Sequence, residues 1–254
     1  MARWLVGKVW ARAEFVLWSL RNPGRPFKDF YADSIACAFA NRKQHASLGP
    51  NLKPGSARRS KGTFDWLLKQ GVQPHDVVVD YGCGTLRIGA YFIQYLDADC
   101  YVGMDIDDRI LSVGRSLLPR ALLESKRPTL EVISPQSIDC IVARAPKWVF
   151  SKGVVQHIPP DDLHDYFLNI SRLVHAGATG FFRTRTAPVA KRISTKTWVH
   201  GVGQLKAIAL CYGIALRRVD AQRSIFKLTP ADRGDSVPNF KSVKESYAKM
   251  SVNP

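Results

Sequence analysis

The chain has 254 residues, with 37 Lys+Arg against 21 Asp+Glu and a formal net charge of +16. Its 46% hydrophobic and 10% aromatic content can bury a full core, which excludes wholesale disorder, collagen-like repeats and low complexity. Its apolar runs fall short of the roughly 18 residues that a bilayer-spanning helix needs.

The charge is unevenly placed. Residues 1–61 hold 12 basic and 3 acidic side chains, residues 62–180 hold 11 and 14, residues 181–227 hold 10 and 1, and the remainder 4 and 3. Two basic segments flank a mildly acidic middle. That pattern points to an anionic partner met by the flanks, whether nucleic acid, a membrane surface or a phosphorylated molecule, or else to a solvated basic surface. The five cysteines (Cys37, Cys83, Cys100, Cys140, Cys211) are widely spaced, with no Cys-x-x-Cys pair and no zinc-finger spacing. The expectation is a reducing, cytoplasmic setting without a structural metal.

In chain order, Arg3 to Arg21 reads as a helix that stops at Asn22-Pro23-Gly24. Leu5, Val6, Val9, Ala13, Val16, Leu17 and Leu20 share one face, with basic residues outside it. Such a helix suits peripheral contact with the inner membrane surface through residues 1–21, or packing against its own domain. Lys8, Arg12 and Glu14 interrupt any signal-peptide core. A second helix is expected over Phe27–Asn41, then a linker or loop at Gly49–Ser56, then a helix over Gly62–Gln70 closed by Gly71.

From Asp76 the pattern alternates strand and helix. Strands are expected at Asp76–Asp80, Cys100–Asp105, Leu130–Ile133, Trp148–Ser151 and Thr179–Thr184, with helices at Ile88–Leu96, Arg109–Leu118 and Pro160–Val174. A helix at Gln204–Cys211 precedes strands Ile214–Val219 and Ser224–Leu228, whose four-residue link can only make a hairpin. The expected fold is α/β: a Rossmann-like, doubly wound, mostly parallel sheet ending in an antiparallel strand pair, with an N-terminal helical extension. The expected organisation is a basic helical extension and linker at 1–58, a single α/β domain at 59–230 and a loose tail at 231–254.

The segment Asp80-Tyr81-Gly82-Cys83-Gly84-Thr85-Leu86-Arg87-Ile88-Gly89 lies between a buried strand and a helix. Two alternate glycines permit a tight turn and close backbone approach to a ligand. At the end of the next strand Asp105 is placed to accept ribose hydroxyls. A P-loop is absent, and a dinucleotide-binding turn would want glycine where Arg87 stands.

The Asp-x-Gly-x-Gly pattern resembles the first motif of the class I S-adenosylmethionine-dependent methyltransferases. Trp148 to Pro160, containing Gln156-His157-Ile158-Pro159, is similar to that family's fourth-strand segment. The resemblance implies that Asp80, Gly82, Cys83 and Gly84 shape the methionine end of a pocket for S-adenosylmethionine. It further implies that Asp105 binds ribose, that Ile106 lies against adenine, and that Ser151 and Lys152 border the sulfonium. Two departures stand out: many members carry a third glycine where this chain has Leu86, and many carry an acid after the third strand, for which Ser137 and Asp139 are the candidates here.

Other acids read as structural. Asp107 and Asp108 suit the cap of the next helix, and Asp161 and Asp162 suit the positive end of the helix near Pro160. His164 and Asp165 are expected to face solvent. His157 is the catalytic candidate: a base for a hydroxyl acceptor, or a group that orients the loop or hydrogen-bonds the substrate. Arg87 is a candidate anion ligand or a supporting surface residue. The expected activity is methyl transfer to a hydroxyl or amine of a small or medium-sized acceptor, anionic or linked to lipid or sugar. The alternatives are a nucleic-acid methyltransferase using the basic flanks, although no RNA-binding module is visible, and a non-catalytic cofactor-binding protein of the same fold.

Overall fold

The computed structural model describes residues 14–40 and 56–232. Most of the expected N-terminal helix, the Gly/Pro linker up to Gly55 and nearly all of the expected tail lie outside the described residues.

The first element, α1, covers 14–21, and a turn through Gly24 at φ +78° leads into α2 (Phe27–Ala40). Phe15 and Trp18 of α1 pack on Phe27 and Phe30 of α2, and the Trp18 indole N–H donates to Asp33 at 3.1 Å. The aliphatic stripe Val16, Leu17 and Leu20 remains exposed. Aromatic residues beside that stripe therefore make the packing face of α1.

α3 (Ser56–Leu68) starts a turn and a half before the expected Gly62. Gly62 costs a helix interior only about 1 kcal/mol relative to Ala. The Lys61–Asp65 ion pair at 2.8 Å and burial of Leu67 offset that cost.

The sheet follows: β1 (Val78–Tyr81), α4 (Gly89–Tyr95), β2 (Tyr101–Asp105), α5 (Asp108–Ser116), α6 (Arg120–Lys126), β3 (Thr129–Val132), α7 (Pro135–Val142), β4 (Trp148–Lys152), α8 (Leu163–His175) and β5 (Thr179–Arg183). A small three-stranded sheet then intervenes, β6 (Thr186–Ala187), β7 (Lys191–Ser194) and β8 (Thr197–Gly201), before α9 (Val202–Cys211), β9 (Ile214–Asp220) and β10 (Ile225–Pro230). The main sheet has the order β3-β2-β1-β4-β5-β10-β9. β1 to β5 are parallel, and β10 is antiparallel to both β5 and β9. The expected mixed sheet and terminal hairpin are present.

Strand periodicity divides the core between the two faces. Val79, Tyr81, Val102, Met104, Val149 and Phe182 join α7, α8 and α9, whereas Val78, Tyr101, Phe150 and Phe181 join α3, α4 and α5. Two helices and a three-stranded insertion depart from the expected elements. α6 carries no buried side chain, so it lacks an apolar stripe to read. α7 is announced only by Ser134-Pro135, where Ser134 and Ser137 form a reciprocal capping box. The β6–β8 insertion occupies what read as a basic segment.

That insertion docks the N-terminal helices. Trp198 is buried and meets Phe27 edge-on at 4.9 Å between ring centroids, and Arg192 lies over its ring. Trp198→Ala is expected to destabilise by about 3 kcal/mol, with the effect concentrated in the cap. Limited proteolysis of the full chain would then show faster cleavage within residues 14–40 than in the sheet, and an unchanged cleavage pattern would refute this docking role.

Candidate functional site

The carboxyl ends of β1, β2, β4 and β5 open into one cavity of about 1230 Å³, larger than the roughly 300–1,000 Å³ of ordinary ligand pockets. Asp80, Gly82, Cys83, Gly84, Asp105, Ile106, Lys152 and His157 all line it. Ser151 does not: it is buried beside the α8 face of β4, below the cavity floor.

The turn after β1 is pinned to β2. The Gly82 and Cys83 N–H groups both donate to the Met104 carbonyl, at 2.8 and 2.9 Å. Asp105 accepts from the Gly84 N–H at 2.7 Å and from the Ile106 N–H at 2.8 Å. Gly82 sits at φ +81°, and a Cβ there would come within 2.1 Å of Val154. Gly84, at φ +57°, faces open space within the cavity wall, so its backbone is accessible to a ligand.

Leu86, where many class I members carry glycine, has φ +59°. Its backbone takes the conformation glycine favours, while its buried side chain uses room left by Gly89 and Gly114, where a Cβ would lie 3.2 and 2.9 Å from it.

Both acids are buried, Asp80 at 2% exposure and Asp105 at 8%. Asp80 accepts a hydrogen bond from the Tyr101 hydroxyl at 3.0 Å. Burial, with the charge of Asp105, pushes Asp80 up to about 7, and burial pushes Asp105 up to about 6 despite its two backbone donors. These carboxylates are therefore only partly compensated, Asp80 by the Tyr101 hydroxyl and the charges of Lys152 and Arg87, and Asp105 by its two backbone donors. The methionine ammonium and the ribose diol of S-adenosylmethionine would supply the rest, so the residues present fit that cofactor.

After β4, a 3-10 turn (Val155–His157) presents His157. Its Nδ1 lies 2.6 Å from the Lys196 carbonyl, which can only accept, so Nδ1 carries the proton. Nε2 is left as the acceptor, 3.0 Å from the Gln156 amide nitrogen. Burial holds the imidazole below its ordinary pKa, hence neutral at physiological pH. Tyr31 of α2 covers the ring at 4.9 Å and also lines the cavity. The fully buried His200 of β8 donates from Nε2 to the Val155 carbonyl at 2.9 Å. Tyr31 and His200 were not foreseen, because each reaches the site from a separate segment without a motif.

The remaining assignments are plain. Asp107 caps α5 through the Arg109 N–H, and Asp161 and Asp162 lie in a 3-10 turn ahead of α8. His164 contacts the Tyr212 hydroxyl instead of lying free in solvent, while Asp165 is mostly exposed. Neither adenine candidate lines the cavity. The Ser137 hydroxyl serves its own helix cap and the Val132 carbonyl, and Asp139 pairs with Arg172 outside the site. Ile133, Ser134 and Pro135 occupy that wall. Among the described residues there is no metal-binding cluster and no helix long and apolar enough to cross a membrane.

Magnesium protoporphyrin IX methyltransferase from Synechocystis PCC 6803, solved with bound S-adenosylmethionine, superposes with a TM-score of 0.57 at 16% identity, over 83% of this chain and 100% of that one. This chain has the class I methyltransferase fold. Phosphoethanolamine N-methyltransferase 1 of Haemonchus contortus, solved with phosphoethanolamine and S-adenosylhomocysteine, shares that fold with a TM-score of 0.55 at 12% identity, over 89% of this chain and 53% of that one. In sequence, 98 residues are 34% identical to ribosomal protein L11 methyltransferase of Cupriavidus necator. That stretch is 38% of this chain and only 32% of the relative. The homologous protein of Cupriavidus taiwanensis matches to the same extent. No protein-family model matches the chain.

In the methyltransferase fold without ligand, Asp80 has its pKa raised from 3.8 to about 7. A raised folded-state pKa contributes stability that is full below the unfolded value and lost as pH rises through the folded one. Asp80→Asn is therefore expected to leave the melting temperature unchanged near pH 4 and to raise it at about pH 8, while weakening cofactor binding. Thermal melts at both pH values check this, and equal shifts at the two would contradict it.

Proposed function

We propose that this protein is an S-adenosylmethionine-dependent methyltransferase acting on a small or medium-sized acceptor. The observation that carries the reading is the pair of under-compensated carboxylates, Asp80 and Asp105, aimed into a cavity framed by the Gly82–Gly84 turn. Asp80 would meet the methionine ammonium, Asp105 the ribose hydroxyls and Ile106 the adenine. The turn at Gly82, Cys83 and Gly84 would let the methionine moiety lie against backbone. Lys152 would border the reacting end, and Ser151 would support it from beneath.

When bound, the cofactor supplies an electrophilic methyl group on a sulfonium. The chain's contribution is alignment and exclusion of water, with proton removal needed only if the nucleophile arrives protonated. Tyr31 and α2 close the cavity from above. Once the Gln156 amide gives it up, the His157 Nε2 lone pair would take a proton from a hydroxyl or ammonium, with the Lys196 carbonyl holding the tautomer and stabilising the imidazolium that results. The cavity, large enough for a cofactor and a second small molecule, supports a small acceptor over a nucleic acid.

Calorimetric titration tests the reading directly. S-adenosylmethionine is expected to bind the full chain, with Asp105→Ala weakening it at least about tenfold. Absence of binding by the wild type, or undiminished binding by the variant, would overturn the proposal. With an acceptor found by labelled-methyl transfer over fractionated metabolites, His157→Ala is expected to lower kcat by roughly 10²–10⁴ and leave cofactor affinity within about twofold. A small loss of kcat, insensitive to pH, would assign His157 to orienting the loop.

A further inference from the structure

The cavity has a second electrostatic half. Lys152 and Arg183 end neighbouring parallel strands and are direct register partners across β4 and β5, so both side chains leave the sheet at the same edge. The Lys152 ammonium donates to the Arg59 carbonyl at 3.2 Å, which brings α3 to the same point. Arg87 reaches the cavity from the turn after β1. Lys152, Arg183, Arg59 and Arg87 thus come from four segments and line one space. Among the described residues, none of Lys152, Arg183 and Arg59 forms an ion pair with a carboxylate. Arg183 spends its Nε on the Arg223 carbonyl, which orients the guanidinium without neutralising it.

Like charges are not gathered in a half-buried space without cost. Burial and the three neighbouring arginines push Lys152 down to about 8 against the opposing charge of Asp80, and burial and Arg59 lower Arg87, which Asp80 likewise offsets only in part. The proposed cofactor cannot balance this half. S-adenosylmethionine carries one carboxylate against an ammonium and a sulfonium, so it enters with net positive charge, and its sulfonium would lie near Lys152. One carboxylate can occupy only one of these cations. Lys152, Arg183 and Arg59, which make no ion pair among the described residues, therefore call for an anion from the methyl acceptor, and a phosphate ester, with about −1.5 to −2 charge and three acceptor oxygens at neutral pH, matches several converging donors better than a single carboxylate.

From this, and resting on the methyltransferase reading above, we infer that the methyl acceptor is a phosphorylated small molecule whose phosphoryl group is held by Lys152 and Arg183, with Arg59 and Arg87 completing the cationic wall. His157 lies five residues beyond Lys152 on the same loop, so the group to be methylated faces His157 and the cofactor methyl while the phosphate anchors the other end. The phosphate is a handle and takes no part in bond making. Neutralising Lys152 is its second effect, because the phosphate charge offsets the repulsion between the ammonium and the sulfonium.

The test uses the full chain saturated with S-adenosylhomocysteine and titrated calorimetrically with inorganic phosphate, with benzoate as a monoanionic carboxylate control. Phosphate is expected to bind at millimolar or lower concentration, at least about fivefold more tightly than benzoate, and to weaken with added salt. Arg183→Met should weaken phosphate at least about tenfold and change the affinity for S-adenosylhomocysteine less than about twofold; Lys152→Met should weaken phosphate at least as much, whereas Lys152→Arg should retain phosphate binding. Absence of phosphate binding, preference for benzoate, or displacement of S-adenosylhomocysteine by phosphate would overturn the inference. So would parallel loss of both ligands in Arg183→Met, which would assign the cluster to the cofactor's own carboxylate. If the wild type fails to bind S-adenosylhomocysteine, the methyltransferase reading falls by itself. Phosphate binding by the cofactor-free protein, lost in Lys152→Met and Arg183→Met, would then still uphold the cationic site, and its absence would remove it.

Discussion

The site is organised around one buried carboxylate. Asp105 accepts from the Gly84 and Ile106 backbone N–H groups, and so ties the turn after β1 to the end of β2. Burying an ionised carboxyl costs several kcal/mol unless hydrogen bonds replace the lost water. Two charge-assisted backbone bonds recover part of that cost, and its pKa near 6 shows the recovery to be incomplete. The deficit belongs to the ligand-free state. It would favour a ligand with two adjacent hydroxyls, which gains most where the protein has left an acceptor under-used. The same brace fixes the left-handed turn that puts Leu86 at φ +59°, a conformation worth roughly 1–2 kcal/mol of strain for a residue with a Cβ. Gly89 and Gly114 leave the space into which its side chain packs. A departure from the family pattern in one residue is thus absorbed by two glycines elsewhere.

The acceptor half is held differently. The β6–β8 insertion supplies the Lys196 carbonyl that sets the His157 tautomer, the His200 bond to the Val155 carbonyl, and Trp198, on which the N-terminal helices rest. A stretch of only 186–201 therefore joins His157, the loop that carries it and the N-terminal helices beside the cavity. The N-terminal helices also form part of the environment of His157, since Tyr31 of α2 packs directly on the imidazole.

Much of the cofactor half was legible because its signals are local. A β-branched run, two alternate glycines and an acid one strand later lie close in sequence, and each has a specific backbone consequence. The acceptor half was legible only as charge. Tyr31, Arg59 and His200 come from distant segments, and nothing in their neighbours marks them. Ser137 and Asp139 were candidates because they follow β3, but the Ser134-Pro135 capping box starts a helix there and uses Ser137 internally, while Asp139 falls on the outer face beside Arg172. The stripe Val16, Leu17 and Leu20 was correctly seen as one face, yet the rings of Phe15 and Trp18 bury more area and decide which side of α1 packs.

The net charge of +16 acquires a location from the fold. Arg59 belongs to the first basic segment and Arg183 to the second, separated by the acidic middle in sequence, and chain reversal over the sheet brings them to one cavity. A parallel sheet makes this convergence natural, since every strand delivers its carboxyl end to the same edge. The acids Asp80 and Asp105 stand at the ends of β1 and β2, and the cations Lys152 and Arg183 at the ends of β4 and β5. Strand order alone thus separates a pole suited to ammonium and hydroxyl groups from a pole suited to anions. A ligand pair carrying charge in the opposite sense would be aligned along that axis before any specific contact forms, and alignment is the main thing a methyl-transfer site must provide.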